Sequence, residues 1–311
     1  MLLILTSDQD LTTDFLITEL IKRKLPYFRV NSEDLASADI KFLIGEEKVR
    51  RHLTVGPRSL DLGDVGSVWY RRAVQPAPIS ALSPSQRVFI SGELRHLAMG
   101  LVLNPEVIWV NPVDKVSVAE HKIYQLQVAR KFGLHVPRTL VSKDLEEIRS
   151  FVSDNSHGTI CKPIFHGLFV DGNSRYSIYT RRVFSDSFDL DSISVCPVLL
   201  QEEVPRAADV RVTIIGTECF VVDIKGEEEL VDWRDPEISV SYAPSQIDTV
   251  THLACKNMLN DLGLVYGAFD FVRTPDGDLV FLEVNPTGEW AWLEDRLGLP
   301  MRDAFIKLLF E

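Results

Sequence analysis

The stretch that decides the fold is FDFVRTPDGDLVFLEVNPTGEW, residues 269–290. Two alternating β-like runs flank Pro275-Asp276-Gly277, and Asp-Gly suits a tight hairpin turn that needs positive φ. A two-residue loop at Asp276-Gly277 pairs Pro275 with Asp278 and, counting back, sets Asp270 directly opposite Glu283. Asn285 lies two residues further on and projects from the same face as Glu283. Like charges facing each other across a ladder destabilise a sheet. A hard divalent cation between them would turn the repulsion into shared ligation, and Asp270, Glu283 and Asn285 supply the oxygen donors that Mg²⁺ accepts. The competing reading is a solvated hairpin whose acids face water.

The 311 residues are 45% hydrophobic and 25% charged, an ordinary globular composition long enough for two or three compact domains. A formal net charge of −12 argues against broad nucleic-acid binding or attraction to anionic membranes, so any phosphate chemistry has to be local. The four cysteines, Cys161, Cys196, Cys219 and Cys255, form no C-x-x-C pair and indicate neither a zinc site nor a disulfide framework. A reducing, cytoplasmic setting is expected. The apolar start MLLILTSD is too short for a signal peptide and reads as a buried strand, and no segment reaches membrane-span length.

Strand, amphipathic helix (Asp10 to Lys24) and strand at PYFRVN open a small α/β layer with a parallel sheet, continued by GSVWYRR, a helix over Pro84 to Leu103 and the strand VIWVNP. A single helix ending at Gly133 is expected next, then a short helix from Lys143 to Ser153 and the strand GTICKPI. Residues 165–180 read as a mobile loop. A strand at PVLLQEEVP, a hairpin turning at Gly216, a helix from about Gln246 to Leu262, the 269–285 hairpin and one C-terminal helix complete an α+β body. The expected division is 1–112, 113–200 and 201–311.

Several motifs together resemble the ATP-grasp carboxylate–amine ligases. They are WYRRAVQP, WVNPVDKVSVAEHKIYQLQVARKFGLHVPRT, CKPI, QEEVPRAADVRVTIIG, VDWRD, GAFDFV and FLEVNPTGEWAWLEDRLGLPM. The NP-x-G-x-W-x-W-x-E ending and DWR make the chain more similar to the branch that macrocyclises ribosomally made peptides, the microviridin-type or graspetide synthetases. The resemblance implies a pre-ATP-grasp α/β domain followed by central and C-terminal lobes that enclose ATP.

It further implies that Asp270, Glu283 and Asn285 hold Mg²⁺ and that Lys122 and Lys162 approach the ATP phosphates as compact point charges. Gln201, Glu202 and Val204 would line the purine pocket, with Glu203 toward ribose or substrate and Asp209 and Lys225 beside the nucleotide. Arg211, alternating with Val210 and Val212, would face a cleft and bind a carboxylate or the transferring phosphoryl group, with Arg234 as its partner. Read without the resemblance, Lys122 is an exposed helix lysine. Arg211 is then an ion pair with Asp209 or Glu203, and Arg234 one with Asp232 or Asp235. Trp290 and Trp292 read as packing residues. The chain departs from many ATP-grasp enzymes in having only Gly167 and Gly172 in the loop after the lysine strand, a sparseness shared by peptide-modifying members.

The implied partner is a precursor peptide with a leader segment. An Asp or Glu side chain would be activated by ATP and joined to a Ser, Thr or Lys side chain. Rival readings are a ligase that adds glutamate to a protein or small-molecule carboxylate, and a non-catalytic peptide-binding protein. Dimerisation through the first domain would make a homodimer.

Overall fold

The computed structural model describes residues 1–45, 49–72, 82–102, 107–165, 167–171, 174–184, 186–188, 193, 195–226, 233 and 239–311. Its N-terminal layer is a four-stranded, wholly parallel sheet in the order Tyr27–Asn31, Leu2–Thr6, Ser67–Tyr70, Ile108–Val110. Leu2 through Thr6 are buried along their whole length, as a central parallel strand covered on both faces must be. The helix Leu11–Lys22 is capped by Asp10, whose carboxylate accepts from the Thr13 amide. Asp39–Ile44, Val49–Val55 and Arg58–Asp61 make a separate antiparallel sheet.

The expected long helix before Gly133 is two helices, Val113–Ala119 and Lys122–Lys131. No proline or glycine breaks it. The side chain of Gln125 does, because its Nε2 donates to the freed Ala119 carbonyl (2.5 Å) and to the Val284 carbonyl (2.9 Å), while its Oε1 accepts from the Val284 amide (2.9 Å). The amide thus replaces helical hydrogen bonds with a tie to the 279–285 strand. The break also makes Lys122 the first residue of a helix.

Four antiparallel strands, Arg181–Val183, Thr159–Lys162, Val198–Glu202 and Thr139–Ser142, form the central lobe around Ile148, Ile193 and Leu200. The expected loop over 165–180 contains a two-stranded ribbon, Leu168–Asp171 with Ser174–Ser177. The C-terminal lobe is a five-stranded antiparallel sheet ordered Val240–Pro244, Glu218–Gly226, Ala208–Ile215, Tyr266–Arg273, Leu279–Asn285. The helices Thr249–Leu262 and Lys122–Lys131 cover one face of it, packing Met258, Leu259 and Leu126 against Phe269, Phe271 and Phe281.

On the other side a second core joins Trp290, Phe305 and Met301 to Leu2, Ile4 and Trp69 of the first sheet. The single expected C-terminal helix is two, Ala291–Leu297 and Met301–Phe310, separated by Gly298 at φ 67° and by Pro300. Among the described residues no helix is long and apolar enough to cross a membrane.

Candidate active site

Asp270 and Glu283 are direct partners across the last hairpin, as counted from sequence. The route to that register differs from the expected one in two places. The loop has three residues, Pro275 to Gly277, closed by the Thr274 amide on the Asp278 carbonyl (2.8 Å), and Gly277 takes φ 94°. That moves the pairs next to the turn by one, so Arg273 faces Leu279. A bulge between Asp270 and Phe271 then restores the offset. Bulges re-aim side chains beside functional sites, and this one leaves Asp270 and Glu283 on one face with Asn285.

The repulsion between the two acids is relieved by cations from other strands and helices. Arg211 is the cross-strand partner of Asp270, and its Nε lies 2.9 Å from Asp270 Oδ1 with the guanidinium almost wholly buried. Lys122 Nζ is 3.7 Å from Glu283 Oε2 and donates to the Pro163 carbonyl at 3.0 Å. Asn285 Nδ2 donates to Asp270 Oδ2 (3.2 Å). The ion-pair partner of Arg211 is therefore Asp270, where sequence reasoning offered Asp209 or Glu203. Asp209 is buried and pairs with Arg206 at 3.2 Å. Arg182 grips both oxygens of Glu203, with Nε to Oε1 at 2.9 Å and to Oε2 at 2.7 Å.

A cleft of about 320 Å³ between the central and C-terminal lobes is lined by Lys122, Lys162, Gln201, Asp270, Glu283 and Asn285, and also by Glu202, Glu203, Val204 and Asp209. Phe165, Gly167, Ile178 and Tyr179 line it as well. Gln201 is fully buried. Its Nε2 donates to Thr139 Oγ1 (2.9 Å), while its Oε1 has no protein partner. A buried acceptor with nothing to accept from marks a place for an incoming donor, and an amino-substituted base would supply one. The carboxylate of Glu202 accepts from the Arg138 amide (2.9 Å), so the clamp between neighbouring segments uses that side chain.

Lys225 is exposed and lines a neighbouring shallow pocket with Arg182, Arg206 and Asp209, away from the six residues that converge above. Arg234 lies outside the described residues. Among the described residues no group of three or more His, Cys, Asp or Glu is arranged to hold a metal. Two carboxylates and an amide oxygen, completed by water and phosphate oxygens, nevertheless suit Mg²⁺, which rarely has an all-protein cage.

Beyond Asn285 a second compartment of about 480 Å³ opens, lined by Arg72, Arg211, Arg296, Trp233, Tyr242 and Trp292. Asn285 and Trp233 border both spaces. Trp290 is buried and stacks on Phe305 at 4.7 Å, a packing residue as read from sequence. Trp292 is half-buried, packs against the same core and also lines the compartment.

Residues 1–117 match the family model described as the MvdD pre-ATP grasp domain. The whole chain is similar to the macrocyclase MdnC of Microcystis aeruginosa MRC, solved with precursor peptide MdnA, at 27% identity, covering 99% of each chain with a TM-score of 0.88. Macrocyclase MdnB of the same organism is also 27% identical, covering 100% of this chain and 99% of its own, with a TM-score of 0.83. The chain has the ATP-grasp fold, with an MvdD-type pre-ATP-grasp domain over residues 1–117. A RiPP-associated ATP-grasp ligase of Chryseobacterium gregarium, solved with ADP and a leader and core peptide, shares the fold at 21% identity, covering 99% of this chain and 96% of its own, with a TM-score of 0.88. No curated protein matches.

Two side chains of the pre-ATP-grasp domain hold the ATP-grasp loop that follows Asn285, and sequence reading assigned neither a role. Arg71, 1% exposed, donates from Nη1 to the carbonyls of Thr287 (2.7 Å) and Gly288 (3.1 Å) and from Nη2 to Glu289 (2.9 Å). Asn111 donates to the carbonyls of Tyr266 (2.8 Å) and Pro286 (2.7 Å) and accepts from the amides of Val265 and Tyr266. The available signal was polar residues inside apolar strands, at WYRR and WVNP.

Gly288 sits where no side chain fits, since a Cβ there would lie 2.7 Å from that of Ala268 and 3.3 Å from that of Asn285. Gly288→Ala is expected to push Asn285 out of line and lower turnover by ~10²-fold, the usual cost of a misplacement near 1 Å. Steady-state kinetics beside a thermal melt check this, and wild-type turnover would show that the loop tolerates the methyl group.

Proposed function

We propose that this chain is an ATP-dependent, Mg²⁺-requiring ligase. It activates Asp or Glu side chains of a ribosomally made precursor peptide and joins them to Ser, Thr or Lys side chains as macrocyclic esters or amides. The observation that carries the reading is that Asp270, Glu283 and Asn285 stand where two compartments meet. One is lined by lysines and an unsatisfied buried amide, the other by arginines and aromatic rings. The likeness over full length to MdnC and MdnB supports it. ATP, when bound, supplies the phosphoryl group that turns the carboxylate into an acyl phosphate, and attack by the hydroxyl or amine then expels phosphate.

The residues of this chain do the positioning and neutralise charge. Lys122 and Lys162 would face phosphate oxygens, and the Gln201 amide would meet the base. Glu202, Glu203 and Val204 would border the nucleotide, Asp209 would orient Arg206, and Lys225 stays at the margin. Asp270, Glu283 and Asn285 would hold Mg²⁺, which would take over from Arg211 and Lys122 the task of separating the acids. Arg211, released or shared, points its fork toward a carboxylate, and Arg234 is assigned the same task. The 165–180 segment would exclude water from the acyl phosphate. A leader segment docking on the enzyme, a homodimer through the first domain and a cytoplasmic location complete the reading, with working divisions at 1–112, 113–200 and 201–311.

Mass spectrometry tests it. The protein is incubated with ATP, Mg²⁺ and a Thr/Ser- and Glu/Asp-rich peptide encoded beside its gene. Each ring should lower the peptide mass by one water with release of one ADP. A gain of glutamate mass would replace this reading with the amino-acid-adding ligase, and binding without ADP release would make the chain a non-catalytic peptide binder.

A further inference from the structure

The second compartment is organised as a ladder with a guanidinium at each end. The Arg211 Cζ lies 5.5 Å from the ring centre of Trp233, whose ring is 5.6 Å from that of Trp292. Trp292 meets Tyr242 edge-on at 5.1 Å, and the Arg296 Cζ lies 4.9 Å over Tyr242. Three successive rings joining two cations make a track, longer than a pocket for one side chain needs. Aromatic faces accept backbone and aliphatic stems without demanding a particular residue, while the rings orient the guanidinium planes.

The ends differ. Arg211 is committed to Asp270 beside the carboxylate set. The one carboxylate among the described lining residues, Glu289, is taken up by Arg71 and Arg72. Arg296 is exposed, and among the described residues it has no carboxylate partner. A guanidinium held over a ring face presents its N–H groups at the edge of its own plane, an arrangement that suits bidentate binding of a carboxylate. In a chain of net charge −12 such a basic end stands against the overall potential, so its attraction for acids is confined to this site.

We propose that Arg296 is a specificity-determining residue that binds a second acidic side chain of the substrate peptide, one that is not being activated, while the reacting acid lies at the Arg211 end of the ladder. The identity of the acid at the Arg211 end rests on the ligase reading. The occupant is an extended peptide segment with two acids spaced to reach both ends, so the enzyme selects peptides by the spacing of their acids. Charge-assisted hydrogen bonds of this kind favour the two-acid peptide by about ten- to a hundred-fold.

The test uses the full chain and fluorescent synthetic Thr-rich peptides carrying one Glu, or two Glu separated by varied spacers. Anisotropy reads peptide binding in the presence of ADP and Mg²⁺, and ADP release from ATP is read separately. The wild type should prefer one spacing of the two-Glu peptides by at least ~10-fold. Arg296→Gln should erase that preference while ADP affinity and the thermal melt stay unchanged, and Arg296→Lys should recover part of it. A preference that survives Arg296→Gln overturns the assignment, as does a wild type that binds one-Glu and two-Glu peptides equally or binds neither. A wild type that shows the preference but releases no ADP with any peptide supports the assignment and overturns the ligase reading.

Discussion

Asp270→Asn and Glu283→Gln are each expected to lower ATP-dependent turnover by about 10²–10³-fold, the scale on which one preorganised electrostatic contact is lost. The two substitutions differ in their side effects. Asp270→Asn would keep an oxygen near Arg211 but remove its charge, leaving a guanidinium 7% exposed with only a neutral acceptor. A stability loss of about 1–3 kcal/mol should accompany it. Glu283→Gln would cost less, because Lys122 still has the Pro163 carbonyl at 3.0 Å. Stability and turnover therefore separate, and a thermal melt run beside the kinetics tells them apart. A Mg²⁺ titration adds a readout that packing does not move, since losing one of two ionised oxygen donors should raise the metal concentration needed for half-maximal rate. Full ATP-dependent activity in either variant would remove the metal-site assignment.

Arg71→Met is expected to destabilise the protein by about 3–5 kcal/mol, since it strands a buried carboxylate. Asp10 lies beneath that guanidinium with no exposed side-chain surface, at 3.3 Å from Arg71 Nε, and accepts from the hydroxyls of Thr6 and Thr13. Burial works to raise its pKa, but Arg71 and the two hydroxyls outweigh burial and hold it at about 2, against an ordinary 3.8. A carboxylate whose folded pKa is depressed contributes stability above its unfolded value and loses it as pH falls through the folded value. The Asp10 contribution, about 2 kcal/mol, is thus present at neutral pH and disappears between roughly pH 4 and pH 2. Without Arg71 the burial effect prevails, Asp10 titrates higher, and that acid limb should flatten in denaturant melts taken across the range. An unchanged limb in Arg71→Met would show that the hydroxyls alone hold the carboxylate.

The same guanidinium reaches the carbonyls of Thr287 and Gly288, so Arg71→Met should also loosen the loop behind Asn285. Buried ion pairs are weak evidence for stability in general, but here the guanidinium bridges two portions of the chain 216 positions apart and sits directly behind the candidate site.

Period and turn chemistry were legible in the chain itself. Alternation around Pro275-Asp276-Gly277 was enough to place Asp270 across from Glu283, although a three-residue loop and a bulge had to compensate for each other to reach that pairing. Gln201 at the end of VLLQE was singled out by the resemblance alone, whereas Lys162 in TICKPI and Arg211 in DVRVTI stood out as polar groups in apolar strands, and all three face the space between the lobes or its border. These readings rest on neighbours within a few residues, where backbone geometry dictates which side chains share a face.

What tertiary structure alone decided is which charges meet. Arg211 chose Asp270 over Asp209 or Glu203 because strand order sets Ala208–Ile215 beside Tyr266–Arg273. Lys122 reached Glu283 because Gln125 preferred the carbonyls of Ala119 and Val284 to a continuous helix. Arg71, Asn111 and the ring ladder to Arg296 join residues far apart in sequence, and no local pattern encodes their distances. Hydrogen-bonding and Coulombic partners are selected by packing after the strands are ordered, so a side chain's chemistry can be read early, but its partner only from the fold.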